Sequence, residues 1–188
     1  MNWFISDTHF RHANIIKYCN RPFQTLEEMD VTIVNNINVL VGEDDTLWHL
    51  GDFAFGRDAT ELAIELMRRQ IRCKNVNLIT GSHDRTIVKS KKLSSLFAST
   101  LNYYLGLIDG VEFLLIHRPV DLAYLSWERT LIEKEVKRNP ALIWLHGHTH
   151  NNSHIGPRNL CVEVTGYKPV SIEEIKERFI NVSPTSYC

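Results

Sequence analysis

The chain has 188 residues, of which 21 are Lys or Arg and 22 are Asp or Glu, so its formal net charge is −1. This length favours one domain, residues 1–188, with a loose tail expected from about residue 181. A near-neutral charge argues against a dedicated nucleic-acid binder, because such binding depends on clustered positive charge. With 44% hydrophobic and 23% charged residues, the composition is that of a globular protein and excludes a disordered chain.

Nothing in the sequence resembles a membrane span or a secretory leader. No apolar run approaches the roughly 20 residues that cross a bilayer, and Met1–Asp7 lacks a basic segment followed by an apolar stretch. The four cysteines are scattered without a C-x-x-C pair, which is typical of free thiols in a reducing compartment. The sequence therefore predicts a cytoplasmic protein without a membrane partner.

The first half of the chain alternates predicted strands with amphipathic helices. Short apolar runs predict strands at 2–5, 46–50 and 76–79. Two capping boxes, in which Glu follows an N-cap residue by three positions, lie at 25–28 and 58–61. They predict helices that extend to about Leu40 and Gln70. A basic, Ser-rich segment without predicted regular structure follows at Lys89–Ser95.

The second half adds a hairpin to this alternation. Asp109-Gly110 joins two apolar runs and is a strong hairpin signal. The remaining expected elements are strands at 103–108, 111–116, 141–145 and 159–164, a helix at 127–138, and a last helix capped by the box at 171–174. Strand–helix alternation followed by antiparallel pieces indicates an α/β protein with a mixed sheet.

Five polar clusters punctuate this pattern, and each follows an apolar, strand-like run. They are Asp7-Thr8-His9, Gly51-Asp52, Gly81-Ser82-His83-Asp84, His117 and Gly147-His148-Thr149-His150. Because ligand sites of α/β sheets form at the carboxyl ends of strands, these loops can converge on one point. The glycines permit the tight turns that lead out of the strands.

Six residues in these clusters carry groups that bind metal ions: Asp7, His9, Asp52, His117, His148 and His150. A mixture of imidazole and carboxylate without cysteine suits Mn, Fe, Zn or Co rather than a closed structural zinc. Six groups are too many for one open ion, but they suit two ions that share a carboxylate and promote in-line phosphoryl displacement. Each motif alone is also common as a turn or a hydrogen-bonded histidine, so the joint occurrence carries the prediction.

Taken in order, the five clusters resemble the signature of the calcineurin-like metallophosphoesterase superfamily, which is D-x-H, G-D, G-N-H-[DE], a lone H and G-H-x-H. The resemblance covers residues 1 to about 165 and is greatest to short, single-domain phage and bacterial-type members. It implies a four-layer α/β/β/α sandwich of two mixed sheets flanked by helices. It also implies hydrolysis of phosphomonoesters or phosphodiesters.

The resemblance further implies a role for each site residue. The first metal would be held by Asp7, His9 and His150. The second would be held by His117 and His148, and Asp52 would bridge the two. A hydroxide between two divalent ions would attack phosphorus, with manganese expected and Fe, Zn, Co or Ni as alternatives. His83 would act as general acid or charge stabiliser at the leaving group, and Asp84 would orient its imidazole.

Two departures from the family pattern affect these expectations. Ser82 replaces an Asn whose carbonyl would bind the second metal, so we expect a weakened second site. Arg11 stands where relatives often carry Gly. Arg11 and His12 are predicted to reach the substrate phosphate, with a solvated surface arginine as the alternative for Arg11.

Two functions are compatible with these residues. The first is a phosphoesterase acting on a small-molecule phosphate ester or nucleotide. The second, motivated by Ser82, is a catalytically weak family member that serves as a binding or scaffold module. A nuclease of the same superfamily is disfavoured by the short chain and the balanced charge, and the sequence predicts no oligomeric state.

Overall fold

The computed structural model describes residues 1–55, 60–119, 126–150 and 156–180. The strands of this part of the chain are β1 (Asn2–Ile5), β2 (Thr46–His49), β3 (Asn75–Ile79), β4 (Ser99–Leu101), β5 (Tyr103–Ile108), β6 (Val111–Ile116), β7 (Ile143–Leu145) and β8 (Val170–Ser171). The helices are α1 (Ala13–Tyr18), α2 (Leu26–Leu40), α3 (Glu61–Gln70), α4 (Arg85–Lys89), α5 (Lys91–Ser94), α6 (Ser126–Arg138), α7 (Val162–Thr165) and α8 (Ile172–Ile180).

These strands form two mixed sheets, as the sequence predicts. The larger sheet has the order β4-β3-β2-β1-β8, in which only β8 runs antiparallel to its neighbour. The smaller sheet has the order β5-β6-β7. In it, β5 and β6 form the antiparallel hairpin, and β7 runs parallel to β6.

Three apolar clusters separate four layers of secondary structure. The side chains of each strand point alternately to its two faces, so one strand contributes to two clusters. In β1, Trp3 and Ile5 pack toward the cluster beneath α2 and α3, whereas Phe4 points into the cluster between the sheets. In β6, Phe113 faces the same inter-sheet cluster, while Leu114 packs against α6. The layers are therefore helix, sheet, sheet and helix, which confirms the predicted α/β/β/α sandwich.

The structure confirms the first predicted capping box and corrects the second. Thr25 Oγ1 accepts a hydrogen bond from the Glu28 backbone amide at 3.1 Å, which confirms the first capping box. The second box was expected to begin at Asp58, but α3 begins at Glu61 and is capped by Thr60 instead. Asp58 itself and the tail from residue 181 lie outside the described residues.

One other expectation is wrong, and one helix was not predicted. The predicted strand at 159–164 is replaced by isolated bridges at Asn159 and Cys161, followed by the short helix α7. The Ser-rich segment at 89–95 contains α5, because Ser90 caps it by accepting from the Leu93 amide. Both segments are too short for a periodic pattern to reveal their structure.

Candidate metal centre

Each of the five polar clusters lies directly after a strand, so the fold brings them to one edge of the two sheets. Asp7 and His9 follow β1, and Asp52 and His83 follow β2 and β3 in the larger sheet. The groups that follow β6 and β7 of the smaller sheet are His117, His148 and His150. The candidate centre is therefore built where the two sheets meet.

The first group of donor atoms belongs to Asp7, His9 and His150, and all three atoms lie within 4.8 Å of one another. Asp7 Oδ1 lies 3.8 Å from His9 Nε2 and 3.5 Å from His150 Nε2. These separations leave room for an ion between the atoms, because ligand bonds to a divalent metal are about 2.0–2.3 Å long.

The second group belongs to Asp52, His117 and His148 and also falls within 4.8 Å. Asp52 Oδ2 lies 3.3 Å from His117 Nε2, and His117 Nε2 lies 3.2 Å from His148 Nδ1. The same Asp52 oxygen is 3.7 Å from His9 Nε2 in the first group. Asp52 thus stands between the two groups.

Unsatisfied buried atoms mark the same point. Among the described residues, Asp7 Oδ1 and His9 Nε2 are buried polar atoms without a hydrogen-bond partner. Such atoms are costly unless something binds them. Both belong to the first group and face the other donors, so the residues present fit a divalent cation. Nitrogen and carboxylate donors without thiolate are compatible with the transition metals expected from the sequence.

The backbone at this edge adopts an uncommon conformation. Five residues of the two groups have positive φ: Asp7 (58°), His9 (50°), Asp52 (54°), His148 (72°) and His150 (53°). Left-handed backbone at a residue with a Cβ atom costs about 1–2 kcal/mol, and such residues concentrate at functional sites. Asp and His tolerate it better than most residues. The loops therefore adopt a backbone conformation of higher energy, and this conformation presents the side chains of the donors.

Asp7 is held by a dense set of donors on its other oxygen. Asp7 Oδ2 accepts hydrogen bonds from Ser6 Oγ at 2.5 Å, from the His148 amide at 2.8 Å and from Cys161 Sγ at 3.2 Å. This arrangement fixes the carboxylate and leaves Oδ1 directed at the two histidines. Gly147 is needed for it, because a Cβ atom there would overlap Ser6 Oγ and Asp7 Oδ2.

We therefore expect Gly147→Ala to destabilise the protein by about 1–3 kcal/mol, the usual cost of forcing an extra group into a packed site. The measurement is the midpoint of thermal unfolding. Gly42→Ala is the matched control, since its new Cβ atom would meet only the flexible end of Asp45 at 3.3 Å. Equal midpoints for the two variants would contradict the close packing around Asp7.

His150 is oriented by residues that the sequence analysis did not identify. Its Nδ1 atom lies 2.9 Å from Glu163 Oε1, and the same carboxylate pairs with Arg21 at 2.7 Å. Arg21 also donates to the backbone carbonyls of Asp7 and Thr8. A carboxylate on the far nitrogen of a ligating histidine is a usual way to fix the ring. The network thus connects the loops after β1 and β7.

The charges of the centre shift the pKa values of its members in opposite directions. Burial lowers the pKa of His117, but the Asp52 and Asp7 carboxylates outweigh it and raise that pKa to about 9. Burial raises the pKa of Asp52, yet the neighbouring histidines hold it below its usual range. Burial and the charge of His117 lower the pKa of His148 to about 4. The carboxylates therefore stay ionised and create the negative potential that a cation needs.

His83 lies at the mouth of the centre. Its Nε2 atom is 3.9 Å from Asp52 Oδ2, its amide donates to Asp52 Oδ1 at 2.8 Å, and 37% of its side chain is exposed. Burial lowers its pKa. The ring packs against His9 and Phe55, with centroid distances of 5.2 and 4.8 Å.

Asp84 does something other than expected. Its carboxylate accepts hydrogen bonds from the backbone amides of Asp52, Phe53 and Gly81, at 2.8–2.9 Å. Within the described part of the chain, no hydrogen bond joins it to the His83 imidazole. The expected role in orienting that ring is therefore corrected, because Asp84 instead holds together the loops after β2 and β3.

The two predicted substrate-binding residues are placed differently. The Arg11 guanidinium faces α2, where it lies 3.4 Å from Asp30 and 3.7 Å from Glu27. The buried His12 ring stacks on Phe55 with a centroid distance of 3.9 Å, and its Nδ1 atom is 3.3 Å from His9 Nδ1. His12 therefore borders the centre directly, whereas Arg11 is engaged by two carboxylates.

Ser82 is exposed and reaches the centre only weakly. Its hydroxyl lies 3.3 and 3.4 Å from the two oxygens of Asp52. These are long contacts for a hydroxyl donor. The side chain is therefore near the second group, in the position where the family pattern has an amide.

The fold and the centre agree with the family that the sequence profile identifies. Residues 2–166 match the calcineurin-like phosphoesterase superfamily domain, and the chain belongs to this superfamily. Members of the superfamily are hydrolases of phosphate esters that use divalent metals, although some lack activity.

Several proteins are similar to the chain over nearly its whole length. Uncharacterized protein MJ1445 from Methanocaldococcus jannaschii is 34% identical and covers 92% of this chain and 88% of its own. Gene 66 protein of Mycobacterium phage D29 is 28% identical, and the match covers 93% of this chain and 94% of the phage protein. The crystal structure of AQ665 from Aquifex aeolicus, a protein of unknown function, superposes with a TM-score of 0.72 at 26% identity, covering 95% and 98%.

A more distant structure shares the fold. It is described as a novel archaeal phosphodiesterase and superposes with a TM-score of 0.52 at 18% identity, covering 92% of this chain and 94% of its own. In residues 1–55, 60–119, 126–150 and 156–180, no helix has the length and apolar character that crossing a membrane requires.

Proposed function

We propose that the protein is a metal-dependent phosphoesterase that hydrolyses phosphomonoesters or phosphodiesters at a two-ion centre. The observation that carries the proposal is the pair of donor groups, Asp7–His9–His150 and Asp52–His117–His148, joined through Asp52. Divalent ions held in such a pair activate water and neutralise charge on a phosphoryl group during in-line displacement. The exposed mouth of the centre suits a small phosphate ester or a nucleotide.

The chain's own residues have distinct tasks in this proposal. The six donors hold the ions and thereby position the phosphate. His83 stands at the open side and donates an N–H to the oxygen of the leaving group. Because its pKa is lowered, the neutral ring suits charge stabilisation, for which one ring N–H suffices. Asp84 keeps the loop that carries His83 in place, and His12 is proposed to contact the substrate.

The test is hydrolysis of p-nitrophenyl phosphate and bis-p-nitrophenyl phosphate with added manganese, together with metal analysis of the purified protein. We expect turnover of at least one substrate and two equivalents of metal at saturation. Manganese is tested first, and Fe, Zn, Co and Ni are compared with it, because the donor set suits all of them. Absence of both turnover and metal would overturn the proposal.

A cytoplasmic location is also proposed. It is supported by Cys19, Cys73 and Cys161, which are free thiols.

The second candidate function, a weakened member that acts as a binding module, is motivated by Ser82. We expect Ser82→Asn to tighten manganese binding at the second group by at least about tenfold, because the amide oxygen would add a ligand there and even a changed outer contact alters metal affinity about 10–100-fold, and to raise turnover at limiting manganese. Calorimetric titration with Mn²⁺ and a rate measurement check this. Ser94→Asn, on α5, is the matched control. If neither occupancy nor rate changes, Ser82 is an accepted substitute and the weakening hypothesis fails.

A further inference from the structure

The His83 imidazole has no polar partner that fixes its orientation. Its Nε2 atom lies 3.9 Å from Asp52 Oδ2, which is beyond hydrogen-bond distance, and the Asp84 carboxylate is engaged by backbone amides of other residues. Among the residues that the structure describes, none forms a hydrogen bond with either ring nitrogen of His83. Because a histidine with a chemical task is usually oriented through its second nitrogen, the orientation of this ring has another origin.

Aromatic packing takes the place of that hydrogen bond. The His83 ring has centroid distances of 4.8 Å to Phe55, 5.2 Å to His9 and 6.3 Å to His12, with interplanar angles of 57°, 60° and 51°. Tilted pairs at about 4.5–7 Å are a preferred arrangement of aromatic rings. His9 also belongs to the first donor group, whereas the Phe55 side chain has no atom that binds a metal. Phe55 is therefore the neighbour whose effect on His83 can be separated from metal binding.

Phe55 is itself fixed through both its ring and its backbone. The buried His12 ring stacks on it at a centroid distance of 3.9 Å and an interplanar angle of 9°. The Phe55 amide donates to the Phe10 carbonyl at 3.2 Å, and Phe10 and Ala54 form an isolated parallel bridge. These contacts tie the loop after β2 to the loop after β1. Phe55 thus presents a ring of defined position to His83.

The place of His83 at the mouth of the centre explains why such support matters. Its side chain is partly exposed to solvent, so the surrounding protein does not enclose it. The ring of an unsupported histidine distributes over roughly three staggered χ1 positions, of which one directs Nε2 toward Asp52. A neighbour that removes the other positions raises the fraction of molecules in which the imidazole is placed for reaction.

We propose that Phe55 is the positioning residue of His83, and that its ring, backed by His12, keeps the His83 imidazole at the side of the centre where the leaving group departs. The inference rests on the proposed function, which gives His83 its task. An apolar ring orients the imidazole without occupying a ring nitrogen, so both nitrogens stay available to the substrate. Phe55 thereby fulfils the task that the sequence assigned to the Asp84 carboxylate.

Phe55→Leu keeps an apolar side chain but removes the flat ring, and steady-state kinetics with p-nitrophenyl phosphate measure the effect. We expect kcat to fall about tenfold, between the roughly threefold loss from spreading over three rotamers and the 10²-fold loss that a 1 Å displacement can cause. KM and the manganese content should stay unchanged, and Phe55→Tyr, which keeps the ring, should retain most of the rate. Tyr104→Leu is the matched control, since it removes a similar ring contact, 4.6 Å from Trp48. An unchanged kcat in Phe55→Leu would overturn the proposal.

A double-mutant cycle separates positioning of His83 from a general structural role. If Phe55 acts through His83, the two substitutions are strongly non-additive, because residues that act as a unit lose their joint effect when either is removed. Phe55→Leu should therefore change kcat by less than about twofold when it is introduced into His83→Ala. A further tenfold loss in that background would show that Phe55 acts on the donors or on the substrate, and would contradict the assignment.

A spectroscopic measurement tests the ring contact without any hydrolysis. In zinc-loaded protein, which lacks the paramagnetic broadening of manganese, we expect a nuclear Overhauser effect between the ring protons of His83 and Phe55, assigned by its loss in His83→Ala. Absence of this effect would overturn the proposal whether or not an ester is cleaved.

The two measurements also separate this inference from the proposed function. If the Overhauser effect is present but no phosphate ester is hydrolysed, the ring contact stands and the proposed function fails, together with the task of His83. If p-nitrophenyl phosphate is hydrolysed and Phe55→Leu is as fast as the original protein, the positioning role is wrong and the phosphoesterase stands.

Discussion

Asp52→Asn is expected to lower kcat/KM for p-nitrophenyl phosphate by about 10³-fold. Loss of the charge that joins the two donor groups removes several kcal/mol of electrostatic stabilisation, and each 1.36 kcal/mol corresponds to a factor of ten. The fold should survive, because the Asn carbonyl oxygen can still accept the hydrogen bond from the His83 amide that Asp52 Oδ1 now accepts at 2.8 Å. Steady-state kinetics with manganese and metal analysis provide the measurement.

The control for this variant is Asp44→Asn, which removes an acid whose side chain is 90% exposed and lies next to Lys74. It carries the same change of net charge and should leave both the rate and the metal content as they are. If Asp52→Asn retained two bound ions and the original rate, the joined pair of donor groups would not be the catalytic centre.

His83→Ala is expected to reduce kcat by about 10²–10⁴-fold, the usual contribution of a positioned proton donor or acceptor, while the metal content stays nearly unchanged. The physical reason is the position of His83 at the mouth of the centre, where 37% of its side chain is exposed while its Nε2 atom lies 3.9 Å from Asp52 Oδ2. The loss should be greater for an alkyl phosphate than for p-nitrophenyl phosphate, since the poorer leaving group depends more on stabilisation of its oxygen.

A second substitution distinguishes the two roles suggested for His83. The amide of His83→Asn donates an N–H but cannot deliver a proton, so partial recovery relative to His83→Ala supports charge stabilisation. No recovery would favour proton donation. A loss of bound metal in both variants would show that His83 is a ligand, which its distance of 3.9 Å from Asp52 Oδ2 also permits.

The architecture is readable from the sequence where local signals are strong. The hairpin around Asp109-Gly110 appears as predicted, because the turn dipeptide and the apolar runs specify the same register. The capping boxes at Thr25 and Ser171 also mark real helix starts. In contrast, β4 and α1 were not predicted, because segments of three to six residues are too short to show a reliable hydrophobic periodicity.

The candidate centre was predictable for a different reason. Each of its donors lies next to the end of a strand, so chain order and strand position indicated which loops converge. Residues that support the donors lacked such a signal. Glu163 lies in a segment misread as a strand, and Arg21 reaches it from 142 positions away in the sequence. The backbone contacts of Asp84 depend on how two loops meet, which no local pattern records.

The left-handed backbone at five of the donors also limits how the centre could be redesigned for another ion. A β-branched or bulky residue at position 7, 9, 52, 148 or 150 would add strain to a conformation that Asp and His already tolerate at some cost. His117, at the end of β6, has an ordinary negative φ. An engineer who wished to make the donor set softer, for instance by introducing a thiolate, would therefore find His117 the one donor position where the backbone imposes no such restriction.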